Sequence, residues 1–110
     1  MSEAYAVIYS SEALDDLSKI YSYIAYELGV PSTALRQVSR IKKEIRSLDF
    51  MPMRYSLVHW EPWQSMKMHK VPVDNYVIYY TVDTGSCTVT VIRIFYEGQD
   101  VAGIINSNND

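Results

Sequence analysis

Cysteine is all but missing from this chain. Cys87 is the single one in 110 residues, so no internal disulfide can form, and it lacks the charged surroundings of a reactive thiol. That reading places the chain in a reducing, cytoplasmic compartment. Histidine is scarce too: His59 and His69 are the only two, and without a spaced third ligand they make no recognisable metal site. Nothing in the sequence asks for a cofactor. Long apolar runs are also absent. No stretch reaches the roughly 20 residues that cross a bilayer, and Met1-Ser2-Glu3-Ala4-Tyr5 has neither the basic start nor the apolar core of a secretory signal.

What remains is ordinary in bulk. A 48% apolar and 21% charged composition over 110 residues fits one globular domain with one modest core, 1–110, ending in a polar tail from about residue 106. The formal charge of −3 argues against a protein whose main business is wrapping free nucleic acid. Its distribution is uneven, however. Arg36, Arg40, Lys42, Lys43 and Arg46 face only Glu44 within their segment, while Glu12, Asp15, Asp16 and Glu27 lie elsewhere. A basic face on an acidic protein is compatible with that.

Periodicity orders the chain. Tyr5 to Tyr9 is a short strand. Ser10 or Ser11 then caps a helix over about 11–28, with Glu12, Asp15 and Asp16 in its first turns and Leu14, Leu17, Ile20 or Tyr21, Ile24 and Leu28 as its stripe. Gly29 closes it and Pro31 prevents its continuation. A second helix starts near Ser32, with Leu35, Val38, Ile41, Ile45 and Leu48 as its stripe. The short gap favours a helical hairpin, whose two stripes need a sheet to cover them. From Asp49 to Ser65 the pattern dissolves into a structured loop, with a short strand suggested at Tyr55 to His59. Met66 to Val71 alternates as a strand, and Pro72 with Asp74-Asn75 turns the chain into Tyr76–Val82. That run and Thr88–Tyr96 are β-branched and aromatic, joined by Asp83-Thr84-Gly85-Ser86-Cys87 as a hairpin. The expected fold is α+β, β-α-α-β-β-β, a twisted antiparallel sheet packed against a helical hairpin.

Three phrases in this order, Tyr5-Ala6-Val7-Ile8-Tyr9-Ser10, Met66 to Tyr80 and Val89 to Asp100, resemble the RelE/ParE superfamily of toxins from type II toxin–antitoxin modules. The resemblance covers about residues 4 to 101. It implies growth inhibition or plasmid stabilization, a cognate antitoxin, and one of two targets. RelE-like and YoeB-like members cleave mRNA on the ribosome; ParE-like members inhibit DNA gyrase. It leaves a second copy of the chain open as a further partner and implies no membrane.

Metal-free RNA cleavage needs a base, an acid and cations for the developing phosphate charge. By resemblance, Lys70 falls where RelE-like enzymes keep a catalytic lysine, and Tyr96 fits the terminal tyrosine of the YoeB-like pair. Val77 stands where both enzyme branches place an arginine, Phe95 where the partner histidine belongs, and Glu97-Gly98-Gln99 where RelE-like members carry a cation. The candidate catalytic set is therefore Lys70, Tyr96, Arg93 and His69. Each has a plainer role beside it. Lys70 can be an edge-strand lysine that discourages strand addition. Tyr96 can be a sheet tyrosine, Arg93 can pair with Asp74, Asp83 or Glu97, and His69 can be structural. Trp60 and Trp63 suit stacking on bases or, better, cover for the sheet or a partner surface. The basic run can be a solvated helix face or a contact with ribosomal RNA. Met51, Met53, Met66 and Met68 read as adaptable packing beneath the loop or as a place for an antitoxin helix, the second suiting Met66 and Met68 better. A ribosome-dependent mRNA interferase, a non-enzymatic gyrase inhibitor and a module that binds only its antitoxin all stay open, and with them the enzymatic status of the chain.

Overall fold

The computed structural model describes residues 4–107. β1 (Ala6–Tyr9) leads through Ser10 into α1 (Ser11–Ser22). Ser10 is the N-cap, its Oγ accepting from the Ala13 N–H at 3.0 Å. A π turn, Tyr23–Glu27, follows, and α2 spans Pro31–Arg46. Gly29 sits between them at φ +70°, a conformation glycine adopts without penalty. Pro31 does more than stop the first helix: it occupies the first turn of the second, where no backbone N–H is missed.

β2 (His69–Val73), β3 (Tyr76–Asp83) and β4 (Thr88–Tyr96) complete the sheet, in the order β1-β4-β3-β2. β2, β3 and β4 pair antiparallel as expected, but β1 lies parallel to β4, so the sheet is mixed. Ile92 is the extra residue of a bulge, because Tyr79 faces Arg93 while Tyr80 faces Val91. Asp83 makes the hairpin turn, its Oδ1 accepting from the Gly85 and Ser86 N–H groups.

The sheet buries both faces. Against α1 and α2 lie Val71, Ile78, Tyr80, Val89, Val91 and Ile94, met by Ala13, Leu17, Ile41, Ile45 and Leu48. On the other face Trp63, Met68, Tyr79, Phe95 and Val58 form a second cluster. Val101, at the start of a third helix, α3 (Val101–Ser107), closes that cluster. α3 is an addition to the expected order: Asn106 and Ser107, read as the start of a polar tail, are its last residues, and the remainder of the tail lies outside the described residues.

Three further expectations change. Leu14, Leu28 and Leu35, placed in the apolar stripes, are all more than half exposed, and Ala13 and Ala34 are buried instead. The suggested strand at Tyr55 to His59 reduces to a single bridge, Leu57 to His69, flanked by Val58 N–H to Met68 O and Lys70 N–H to Ser56 O. Met66 and Lys67 belong to a turn, with Lys67 at φ +55°, and β2 begins only at His69.

Candidate functional site

β4 outruns its neighbour. β1 ends at Tyr9, opposite Val91, and leaves the edge of Ile92–Tyr96 without a strand. Side chains satisfy that edge instead. Ser10 Oγ donates to Ile92 O at 2.8 Å, Asp16 Oδ2 accepts from Ile94 N–H at 2.9 Å, and Gln99 Oε1 accepts from Tyr96 N–H at 2.7 Å. Asp16 also receives both prongs of Arg93, Nε to Oδ2 at 2.9 Å and Nη2 to Oδ1 at 3.1 Å. That carboxylate holds the guanidinium's pKa above its ordinary value, and the guanidinium stacks on Phe95 at 4.4 Å. Arg93 thus pairs across the sheet edge with Asp16 rather than with Asp74, Asp83 or Glu97.

Beside this edge, between the helical hairpin and the ends of β3 and β4, lies a groove of about 870 Å³. Ile20, Tyr23 and Leu28 form its helical wall, Tyr76, Ile94 and Tyr96 its sheet wall. Tyr76 and Tyr96 meet edge to face at 5.7 Å, and burial pushes the Tyr76 phenol up. Tyr23 and Tyr96 remain 55% and 54% exposed, so the groove is apolar yet open.

The four sequence-selected residues do not converge. His69 and Lys70 are neighbours on β2, so they point to opposite faces. His69 is buried; its Nδ1–H donates to Tyr55 O at 2.9 Å and its ring stacks on Tyr80 at 5.2 Å. Lys70 is exposed and faces Tyr79, which in turn faces Arg93. Two strand spacings separate those cations, about 10 Å, and Tyr79 between them is capped by Trp63 at 4.8 Å. Tyr96 stands in the groove at the end of β4, and His59 is exposed on the loop. General acid–base work needs donors and acceptors within hydrogen-bond reach of one reacting group. Here the phenol, the lysine and the histidine serve three separate surroundings. Among the described residues, no group of three or more His, Cys, Asp or Glu side chains is placed to hold a metal ion, and no helix is long and apolar enough to cross a membrane.

Two site residues escaped the sequence reading. Asp16 was legible only as a first-turn helix acid, although it falls within the spacing of Ala13, Leu17 and Ile20, where a carboxylate needs a buried partner. Tyr76 read simply as the first residue of a strand.

The comparisons agree with this architecture. Residues 7–101 match the model of the ParE toxin of the type II toxin–antitoxin system parDE. Among solved structures, the chromosomal ParDE system of P. aeruginosa is 18% identical at a TM-score of 0.69, covering 86% of this chain and 97% of that one. The RelBE2 toxin–antitoxin complex of Mycobacterium tuberculosis is 17% identical at 0.60, covering 88% and 95%. A mutant of the E. coli toxin RelE in its free state is 18% identical at 0.59, covering 94% and 92%. At these identities the structures speak for the fold. No curated protein sequence matches. The match to the family model extends over most of the chain, and the chain belongs to the ParE toxin family of type II toxin–antitoxin systems.

Proposed function

We propose that this toxin arrests growth by binding DNA gyrase without cutting nucleic acid, and that an antitoxin neutralises it by laying an apolar segment in the groove between the helical hairpin and β3–β4. One observation carries the reading: the sheet face available for RNA is already filled by Trp63, Tyr79, Phe95 and Val101. On that face Lys70 is the exposed cation, and Arg93 is committed to Asp16. A cation already bound by a buried carboxylate contributes little to a developing phosphate charge. The antitoxin part draws on the open aromatic groove and on toxin–antitoxin complexes among the structural relatives.

The test is twofold. Purified toxin should inhibit gyrase supercoiling and lose that effect on adding antitoxin, while primer extension in toxin-expressing cells should show intact transcripts. Cuts within translated codons that vanish in Lys70→Ala would refute the gyrase reading. The ribosome-directed alternative keeps one supporting observation, that Lys70 and Arg93 flank Tyr79 in a single cross-strand row.

A further inference from the structure

Helix α2 carries a charge pattern that neither the fold nor the groove uses. Its buried residues are Ala34, Ile41 and Ile45, which fixes the opposite side as solvent face. Two ridges run along that face. One is Arg36, Arg40 and Lys43 at i, i+4 and i+7; the other is Lys42 and Arg46, one turn apart. All five cations are exposed. Arg40 is spoken for: its Nε and Nη2 donate to Asp74 at 2.8 and 2.9 Å, with Gln37 on the same carboxylate. Among the described residues Arg36, Lys42, Lys43 and Arg46 have no ion-pair partner. The one acid on the helix, Glu44, takes its hydrogen bond from the Tyr55 hydroxyl. Within a chain of net charge −3, α2 presents four cations without an ion-pair partner, against the single carboxylate of Glu44.

We propose that this face of α2 binds the phosphate backbone of duplex DNA, independently of base sequence. Charge complementarity identifies the ligand class, and the composition of the face separates DNA from an acidic protein. Protein interfaces have an apolar, aromatic centre; here the exposed large apolar residue among the cations is Leu35 alone. Phosphate contacts require only Lys and Arg at a suitable span. Arg36 and Arg46 lie ten residues apart on one helix, about 15 Å along its axis, and the major groove of B-DNA is about 12 Å wide. A helix laid across the groove therefore sets its terminal arginines on opposite strands. With no aromatic side chain on the face, single-stranded stacking has no platform. The proposal stands apart from the gyrase reading and holds or fails without it.

The test is fluorescence anisotropy of the purified toxin with a labelled 30-base-pair duplex of arbitrary sequence. Four phosphate contacts give a slope of log K against log salt near −3.5, so affinity should fall about a hundredfold between 50 and 200 mM salt. Arg36→Glu with Lys43→Glu should weaken binding more than tenfold and flatten the slope by about 2. Lys42→Glu with Arg46→Glu, on the second ridge, should do the same. Lys19→Glu, which removes a cation on α1 already paired with Asp15, should leave binding unchanged. Circular dichroism confirms that each variant is folded, and either ridge alone suffices as the test. A slope shallower than −1, or a folded ridge variant binding like the parent, would overturn the proposal. So would tighter binding of single-stranded RNA, or equal binding of a polyglutamate peptide, the first indicating an RNA surface and the second a protein one.

Discussion

Arg93 and Asp16 grip each other through two hydrogen bonds, 2.9 and 3.1 Å long, and the same carboxylate takes the Ile94 amide of β4. One side chain of α1 thereby fastens the helix to a strand and closes the strand's open edge. The pair is mostly buried, with side-chain exposures of 19% for Arg93 and 8% for Asp16. Removing one partner of such a pair leaves a charge stranded away from water.

Asp16→Ala should therefore cost about 3 kcal/mol of folding free energy, seen as a lower urea midpoint at neutral pH. The Asp16→Ala, Arg93→Met double variant should lose less than the two single losses together, because neither charge is then left alone. A strictly additive double variant would mean that the pair carries no coupling. The Arg40–Asp74 pair is the control: it sits in solvent, and Asp74→Asn should change stability far less.

Tyr80 supplies a pH prediction. It is fully buried, its hydroxyl donates to Pro52 O at 2.6 Å, and burial pushes its pKa far above the usual phenol value. Burial also raises the Tyr9, Tyr76 and Tyr79 phenols. With folded pKa values above unfolded ones near 10, the unfolded chain loses its phenolic protons first as pH rises. The stabilisation is complete below about pH 10 and declines above it. Urea midpoints should be flat from pH 7 to 9 and fall from 10 to 11. Tyr80→Phe should cost about 1 kcal/mol at pH 7, the worth of one hydrogen bond, and make the alkaline fall shallower.

Gly29 tests the hairpin connection. Its φ is +70°, and a Cβ there would meet nothing within 4 Å, so substitution strains the backbone without a clash. Gly29→Ala should cost about 1 kcal/mol, and Gly29→Asn less, because asparagine tolerates the left-handed region. Thermal unfolding would show the alanine variant melting about 5 °C lower. An unchanged melting temperature would mean that the connection adjusts freely around residue 29.

Much of this fold was legible before the structure, for physical reasons. Tyr76–Asp83 and Thr88–Tyr96 are dense in β-branched and aromatic residues, and Asp83 with Gly85 gives the turn. The helices follow from their period, although that period cannot separate Leu35 from Ala34. α2 presents Leu35 to solvent and buries Ala34 where Ile20, Ile24 and Ala25 approach closely, a choice made by the neighbouring helix. The 3-10 turn Pro52–Arg54 is held by the Arg54 guanidinium, which donates to Phe50 O at 2.6 Å and Met51 O at 3.1 Å. No periodicity announces such contacts. The site was less legible still. The alternation of a strand already separates His69 from Lys70, but Asp16 lies 77 residues from Arg93, and only tertiary structure brings a helix acid to a strand cation. Lys70 and Tyr96 came forward through family resemblance, and resemblance in position does not carry the surroundings with it.

Tyr96 is where the enzymatic and binding readings part most cleanly. The residue is 54% exposed, its ring packs edge-on against Tyr76, and its backbone is tied to Gln99 twice, the N–H donating to Oε1 and the carbonyl accepting from the Gln99 N–H. If Tyr96 serves by its ring surface in the groove, the hydroxyl is dispensable and the ring is not. Tyr96→Phe should keep full toxicity and antitoxin affinity. Tyr96→Ala should weaken antitoxin binding about 30-fold, as loss of an aromatic anchor costs about 2 kcal/mol. Because that contact is apolar, the toxin–antitoxin complex should survive near-molar salt, which screens charge pairs but strengthens or spares hydrophobic burial. A catalytic phenol predicts the reverse order: Tyr96→Phe would abolish toxicity while binding antitoxin like the parent. Growth assays with surface plasmon resonance on the same two variants decide between them, since the two readings differ in which atom of one residue they require.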